Sequence, residues 1–461
     1  MEFAQREELD AFLGENPDIR FLEILMPDMN GLLRCKRIHQ QEFASLFAGD
    51  FSVPRTVPLL GIRGNMYGGV SQSEIGGDFD QILRPVAGTL ARVPWYDKPL
   101  AQVLTTYESA TGGVDWIDPR SPLLRVLDRY RDSGWSTVVA TELEFYLLAD
   151  CEGERPMPLT GRIPGTSMTQ DGIQYCMPDD LFDCDELLDD IRTACEVQGV
   201  PLTAMHSEFS PGQWEINTHH QHDAVVAGDH ALLLRRIVNG VARRHGLGAT
   251  FMAKPFADIA GSGMHIHASV YDRDGNNVMA DDAPEDPPRL MPALRHAVGG
   301  LAATLNEAML LFAPNPNSYR RFKAGAFAPA SPSWGYDHRE VALRVPRSSE
   351  DNRRIEHRIA GADANPYLVL AGVLAGMHAG LERKLEPQRE PEAREADLSD
   401  EETTLPTRLD TAIALFREGK ILPDYLGQPF TDSYATIRQG ESDDYHGQVP
   451  DLDYQWFLRA L

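Results

Sequence analysis

Five carboxylates and one histidine are spread over four short segments, and in each the two-residue period of a β-strand or a tight hairpin turns these groups to one side. In STVVATELEFYLLA, residues 136–149, Glu142 and Glu144 share one face, with Leu143 and Phe145 on the other. In EFSPGQWEI the Pro211-Gly212 pair marks a turn, and a four-residue loop from Ser210 to Gln213 places Glu208 directly opposite Glu215 on paired strands. His265 and His267 stand two apart after a Gly-Ser-Gly stretch that lets the backbone approach a ligand. RRIEHRIA puts Arg354, Glu356 and Arg358 on one face and Ile355, His357 and Ile359 on the other. The pattern predicts a sheet with one polar wall facing a cavity. Its five carboxylates can share that cavity only around divalent cations.

Any one of these segments alone is more simply a solvated strand face. Together they repeat flanking glycines, cross-strand acids and guanidinium groups, which solvated faces have no reason to do. Carboxylates with a single imidazole suit hard Mg²⁺ or Mn²⁺ rather than zinc. Magnesium usually accompanies phosphates, and the chain has no GxxxxGK[ST] loop, so arginines and metals must neutralise them. The expectation is a two-metal phosphoryl-transfer site built on a sheet.

In order and spacing the four segments resemble the glutamine synthetase superfamily, and the resemblance runs from the DMNG turn at 28–31 to GADANPYL at 361–368. ELEFYLL, SPGQWEIN, ATFMAKPF, AGSGMHIH, APNPNSYRRF and IAGADANPYL look closest to its γ-glutamylpolyamine (γ-glutamylputrescine) synthetase branch. The resemblance implies an α+β fold: a small N-terminal β-grasp-like domain and a large C-terminal catalytic domain whose curved antiparallel sheet is flanked by helices. It implies that Glu144, Glu208 and Glu215 hold one divalent ion and Glu142, His265 and Glu356 the other, with two or three ions per site. Arg321 and Arg358 then receive the glutamate carboxylates, Gly261 lends its backbone to the amino acid, and Arg339 stabilises the transferring phosphoryl group. His267, Ser269, Arg344 and Arg354 match positions that contact ATP. The implied reaction joins the γ-carboxylate of glutamate, activated as γ-glutamyl phosphate, to an amine.

Departures from the ammonia-using pattern bear on that amine. The flap Gly-Tyr-Glu-Ala-Pro of glutamine synthetases reads Gly325-Ala326-Phe327-Ala328-Pro329 here, so a carboxylate has become an apolar ring. Residues 49–58, GDFSVPRTVP, lack the family's Asp-Gly-Ser-Ser loop, and Ala260 replaces an Asn. These changes favour a bulkier primary amine such as a polyamine, with Ala260 and Phe327, and also Trp334 and Tyr336, near its carbon chain. An ammonia-using enzyme with an unusual flap and a catalytically idle scaffold or sensor are the alternatives.

At 461 residues the chain exceeds a single core, and we expect domains at 1–108 and 109–461. RFLEILMPDMNGLLRCKRI reads as a hairpin turned at Asn30-Gly31, TLARVPWYD at 89–97 as a later strand, and 116–135 as the start of a helix. Asn365-Pro366 opens an apolar helix too short and too interrupted to span a bilayer. Residues 385–406, rich in Pro, Glu and Asp, read as an exposed loop; they lack the Tyr that bacterial glutamine synthetases adenylylate hereabouts. The net charge of −26 argues against nucleic acid and anionic membrane as partners. Five Cys without a CxxC, and an acidic N-terminus without a signal peptide, point to the cytoplasm. The resemblance further implies a homo-oligomer, a dodecamer of stacked rings whose sites lie between subunits.

Overall fold

The computed structural model describes residues 1–68, 70, 78–149, 155–170, 172, 174–280, 291–322, 328–387 and 405–461. Its strands form two sheets. The first joins β1 (Phe21–Pro27), β2 (Leu33–His39), β3 (Ser52–Pro54), β4 (Asp80–Pro85), β5 (Ala91–Arg92) and β6 (Ala101–Tyr107) in the order β2-β1-β6-β4-β3, with β5 on β6. The expected hairpin is β1–β2, antiparallel from Phe21↔His39 to Pro27↔Leu33, and Gly31 supplies the left-handed residue of its turn. TLARVPWYD contributes only the two-residue β5.

The second sheet comprises β7 (Ser136–Leu148), β8 (Leu202–Ser207), β9 (Gln213–Thr218), β10 (Gly248–Thr250), β11 (Met264–Tyr271), β12 (Trp334–Tyr336), β13 (Leu343–Val345) and β14 (Ile355–His357). Its order is β12-β13-β14-β11-β7-β9-β8, with β10 on β7. It is antiparallel except at one edge, where β12 and β13 run parallel. Residues 337–342 return the chain between these two three-residue strands, with Asp337 at φ 52° in the left-handed region. We propose a domain boundary between residues 108 and 109, because β6 is the last strand of the first sheet and the helix Arg120–Asp132 leads into the second.

Helices Pro292–Phe312 and Pro366–Arg383 cross at glycines: a Cβ at Gly300 or Gly380 would run into the backbone of the facing helix. The apolar YLVLAGVLAGMHAGL run is therefore a core helix, buried along its length. Among the described residues no helix is long and apolar enough to cross a membrane. The side chain of Asn365 caps this helix by accepting from the Tyr367 amide at 3.0 Å, and it donates to the Asp28 carbonyl at 3.0 Å. One residue thus starts the catalytic core helix and pins the DMNG turn to it.

Candidate active site

Strand registry builds the polar wall. On β7, Glu144 pairs with Glu215 of β9 and Glu142 with His265 of β11; His267 of β11 pairs with Glu356 of β14, which pairs with Arg344 of β13. All line one cavity of about 980 Å³. All six expected metal ligands line it: Glu142, His265 and Glu356 form one group within 4.8 Å, Glu144, Glu215 and His265 another, and Glu208 joins Glu215 in a third. The apolar sides of the same strands enter the core, where Leu143, Phe145, Ile355 and His357 are buried. Burial holds the His357 imidazole neutral by pushing its pKa down to about 3.

Glu208 reaches the cavity by a different register from the one the sequence suggests. His206, not Glu208, lies opposite Glu215, and the Glu208 amide donates to the Gln213 carbonyl. The four-residue loop runs from Phe209 to Gly212, with Gly212 at φ 75° closing it; a Cβ there would strike the backbone of Leu147 and Leu159. The registry differs by two residues, which leaves every side chain on its original face. Glu208 and Glu215 still meet, now with His206 as the third member of their group. Sequence reasoning passed over His206, although the i, i+2 spacing of His206 and Glu208 was the same signal that picked out Glu142 and Glu144.

The carboxylates divide into compensated and uncompensated ones. Burial raises the pKa of Glu142, but hydrogen bonds with His265 (3.1 Å) and His267 (2.8 Å) outweigh it and hold the carboxyl well below the usual carboxylate range. Burial likewise works against Glu356, yet its neighbours His265, His267 and Arg358 bring it down to about 2. Arg344 donates to Glu356 at 2.7 Å, and Arg358 donates to its other oxygen. Glu215 is opposite in kind. Burial, then the negative charges of Glu142, Glu144 and Glu208, push it well above the carboxylate range, and among the described residues only the Asn217 side chain donates to it, at 3.1 Å. Such a group calls for a cation. Carboxylate oxygens with a little imidazole nitrogen fit hard Mg²⁺ or Mn²⁺.

Arg354 donates to His267 Nδ1 at 3.1 Å, which leaves the proton on Nε2 for Glu142 and fixes the tautomer. A second hollow of about 410 Å³ shares Glu142, His267 and Arg354 with the first cavity and adds Ser269 and His220. Three of the four residues matched to ATP thus meet there. Arg344 stays in the main cavity, and Ser269 is buried, donating to the Arg353 carbonyl. The HHQH tract at 219–222 reaches this hollow through His220.

Gly261 and Ala260 line the cavity with backbone held in place from behind: Gln213 donates to the Gly261 carbonyl at 3.0 Å and Tyr146 to that of Ala260 at 2.7 Å. Arg321 lies behind this wall, buried, donating to the Ile359 carbonyl at 3.0 Å. Cβ atoms built at Gly261 and Gly263 would come within 2.7 and 2.9 Å of its side chain, so the glycines let wall and guanidinium pack. Arg358 lines the cavity, and Arg339 is exposed at its edge. Trp334 and Tyr336 pack on the hydrophobic core rather than lining the cavity. Phe327, the flap residues 325 and 326, and residues 388–404 of the acidic stretch lie outside the described residues.

Residues 116–457 match the family described as "Glutamine synthetase, catalytic domain". The chain is 36% identical over 456 residues to a γ-glutamylputrescine synthetase of Escherichia coli, covering 98% of this chain and 94% of that one. It is 32% identical to a γ-glutamylethanolamide synthetase of Streptomyces coelicolor (98% and 94% covered) and 31% identical to a glutamate–isopropylamine ligase of a Pseudomonas species (93% and 92%). A solved structure titled "Apo GmaS without ligand" shares the fold with a TM-score of 0.82 at 23% identity, over 97% of this chain and 99% of that one.

Proposed function

Since the chain belongs to the glutamine synthetase family and is an ATP-dependent glutamate–amine ligase, we propose that its acceptor is a polyamine such as putrescine. The observation that carries this is the 36% identity, over almost the whole of both chains, to an enzyme named for putrescine. The other two relatives above are likewise named for alkyl amines or their amides.

The enzyme uses ATP and Mg²⁺ or Mn²⁺. We assign Glu144, Glu208 and Glu215 to one ion and Glu142, His265 and Glu356 to the other; the second triad is grouped as such, Glu215 is grouped with Glu144 and separately with Glu208, and the excess charge around Glu215 calls for a cation. When bound, the ions offset negative charge on the transferring phosphoryl group. The γ-carboxylate of glutamate attacks the γ-phosphorus of ATP, ADP leaves, and a γ-glutamyl phosphate forms. A neutral primary amine then attacks the acyl carbon, and phosphate departs with the proton that the nitrogen gives up, leaving a γ-glutamyl amide. Arg358 and Arg321 serve the glutamate carboxylates, Arg358 directly and Arg321 from behind Gly261. Arg339 folds in from the edge over the phosphoryl group, as a planar guanidinium suits phosphate oxygens. His267, Ser269, Arg344 and Arg354 hold the nucleotide, the second hollow supplying most of its seat.

We assign the acceptor pocket to Ala260, which lines the cavity, and, from the sequence alone, to Phe327. Phe327→Glu should move preference toward ammonium by about tenfold, roughly 1.4 kcal/mol; an unchanged preference would put the acceptor pocket elsewhere. We also propose a cytoplasmic, ring-stacked dodecamer with sites completed between subunits. The four described cysteines, all free thiols, support the compartment, and native mass spectrometry tests the assembly. The chemistry is tested by phosphate release from ATP with glutamate and Mg²⁺, comparing ammonium, putrescine, spermidine and ethanolamine, with product masses recorded. A polyamine-dependent γ-glutamyl product is expected. Ammonium as sole acceptor would return the chain to glutamine synthesis, and no turnover with any amine would leave a scaffold.

A further inference from the structure

We infer that His206 is a fourth protein ligand of the divalent ion held by Glu144, Glu208 and Glu215, giving that ion an imidazole of its own. The inference rests on the metal assignment proposed above and deepens it.

The backbone sets the geometry. His206 and Glu208 are two residues apart on the same side of the chain as β8 ends, and His206 is the cross-strand partner of Glu215. Its Nε2 lies 3.4 Å from Glu208 Oε1 and 3.8 Å from Glu215 Oε1. Both separations are long for a hydrogen bond. They suit ligands sharing an ion at roughly 2.1 Å from each, where neighbouring donors stand about 3 Å apart or somewhat more. The ring lines the main cavity, and Tyr175 stands perpendicular against it, with centroids 5.9 Å apart at 89°.

His265 makes the argument sharper. Its two nitrogens face different acids: Nδ1 is 3.1 Å from Glu142 and 3.9 Å from Glu356, whereas Nε2 is 3.7 Å from Glu144. One imidazole therefore stands between two groups of carboxylates. If His206 serves the Glu208–Glu215 side, His265 is free for Glu142 and Glu356, and each ion gains one nitrogen in an otherwise oxygen shell. Nitrogen donors favour Mn²⁺ over Mg²⁺ more than carboxylates do, so His206 biases the first site toward manganese.

The test uses the full-length enzyme loaded with Mn²⁺ alone and labelled with ¹⁵N-histidine, read by pulsed electron paramagnetic resonance together with equilibrium dialysis. Two distinct imidazole couplings are expected. His206→Ala and His206→Gln should each remove one coupling, weaken one Mn²⁺ by at least about tenfold, and change Mg²⁺ affinity less. A single coupling in the unaltered enzyme overturns the inference without any variant having to fold. Glu208→Ala separates the two levels. If it loses one ion while His206→Ala keeps both couplings and both affinities, His206 is not a ligand and the two-ion site stands. If neither Glu208→Ala nor Glu215→Ala loses an ion, the underlying metal assignment fails as well.

Discussion

Arg120 and Glu215 are both buried charges, and their surroundings treat them in opposite ways. Around Arg120, where helices Arg120–Asp132, Ala224–Arg244 and Pro366–Arg383 meet, each group answers another. Its guanidinium donates to Asp229 at 2.7 and 3.0 Å and to the Thr105 carbonyl at 3.1 Å, and it lies 4.7 Å from the centre of the Tyr367 ring. The Tyr367 hydroxyl donates to Asp229, while Asp118 accepts from Thr106 and from the Arg120 amide. That cluster is complete within the chain. Around Glu215, the carboxylates of Glu142, Glu144 and Glu208 face the same cavity, and burial plus their repulsion push its pKa up. The first arrangement is what a protein builds to hold its elements in place; the second leaves a repulsion that a bound proton or an added cation must relieve. The difference separates structural from functional charge without reference to any relative.

The contrast can be broken first at Glu356. Glu356→Ala removes a ligand and leaves Arg344 and Arg358 facing each other, so ATP turnover should fall by about a thousandfold or more, as several kcal/mol of charge stabilisation are lost. Full activity in a phosphate-release assay would sink the two-ion assignment. Asp229→Ala acts on the other cluster: stranding buried Arg120 should cost about 3–5 kcal/mol of stability, read from denaturant midpoints. If the variant folds, the surviving molecules should keep their affinity for metal.

Glu215→Gln should do the reverse, stabilising the metal-free protein by about 1–2 kcal/mol near pH 8 while impairing catalysis. The sign follows from linkage. With its folded pKa raised above the unfolded value of about 4.3, Glu215 binds more proton in the native state than in the unfolded chain. Its contribution therefore erodes as pH rises from the unfolded pKa through the folded one, and the glutamine removes that erosion. A variant less stable than the parent at pH 8, and no more resistant to alkali, would contradict the assignment. Smallest in size is the proton count. Metal binding should displace about one proton near neutral pH, so Mn²⁺ affinity should rise with pH, as calorimetry in buffers of different ionisation enthalpy can read. Proton-independent binding would place the ion away from Glu215.

How much of this was legible in the sequence depends on the range of the forces involved. Period-two alternation fixes which way a side chain points, so Glu142 with Glu144, and Glu356 with Arg354 and Arg358, could be placed on one face correctly. Register depends on which loop residue takes a left-handed backbone, and Gly212 rather than the Pro211-Gly212 pair as a unit decides it; hence the two-residue difference at Glu208. The Arg120 cluster joins residues 118, 120, 229 and 367, and no periodicity links such distant positions. The place of Arg321 behind Gly261 and Gly263 was equally hidden, because it depends on how closely two backbones pass. The hairpin turn at Asn30-Gly31 and the cap at Asn365 were readable because local chemistry specifies both.

The most direct measurement is an anomalous difference map from crystals of the enzyme soaked in Mn²⁺. Two peaks are expected, one among Glu144, Glu208 and Glu215 and one among Glu142, His265 and Glu356, with none at Arg120. Ions bound elsewhere, or a cavity without peaks at saturating Mn²⁺, would mean that the repulsion around Glu215 is not a site for metal.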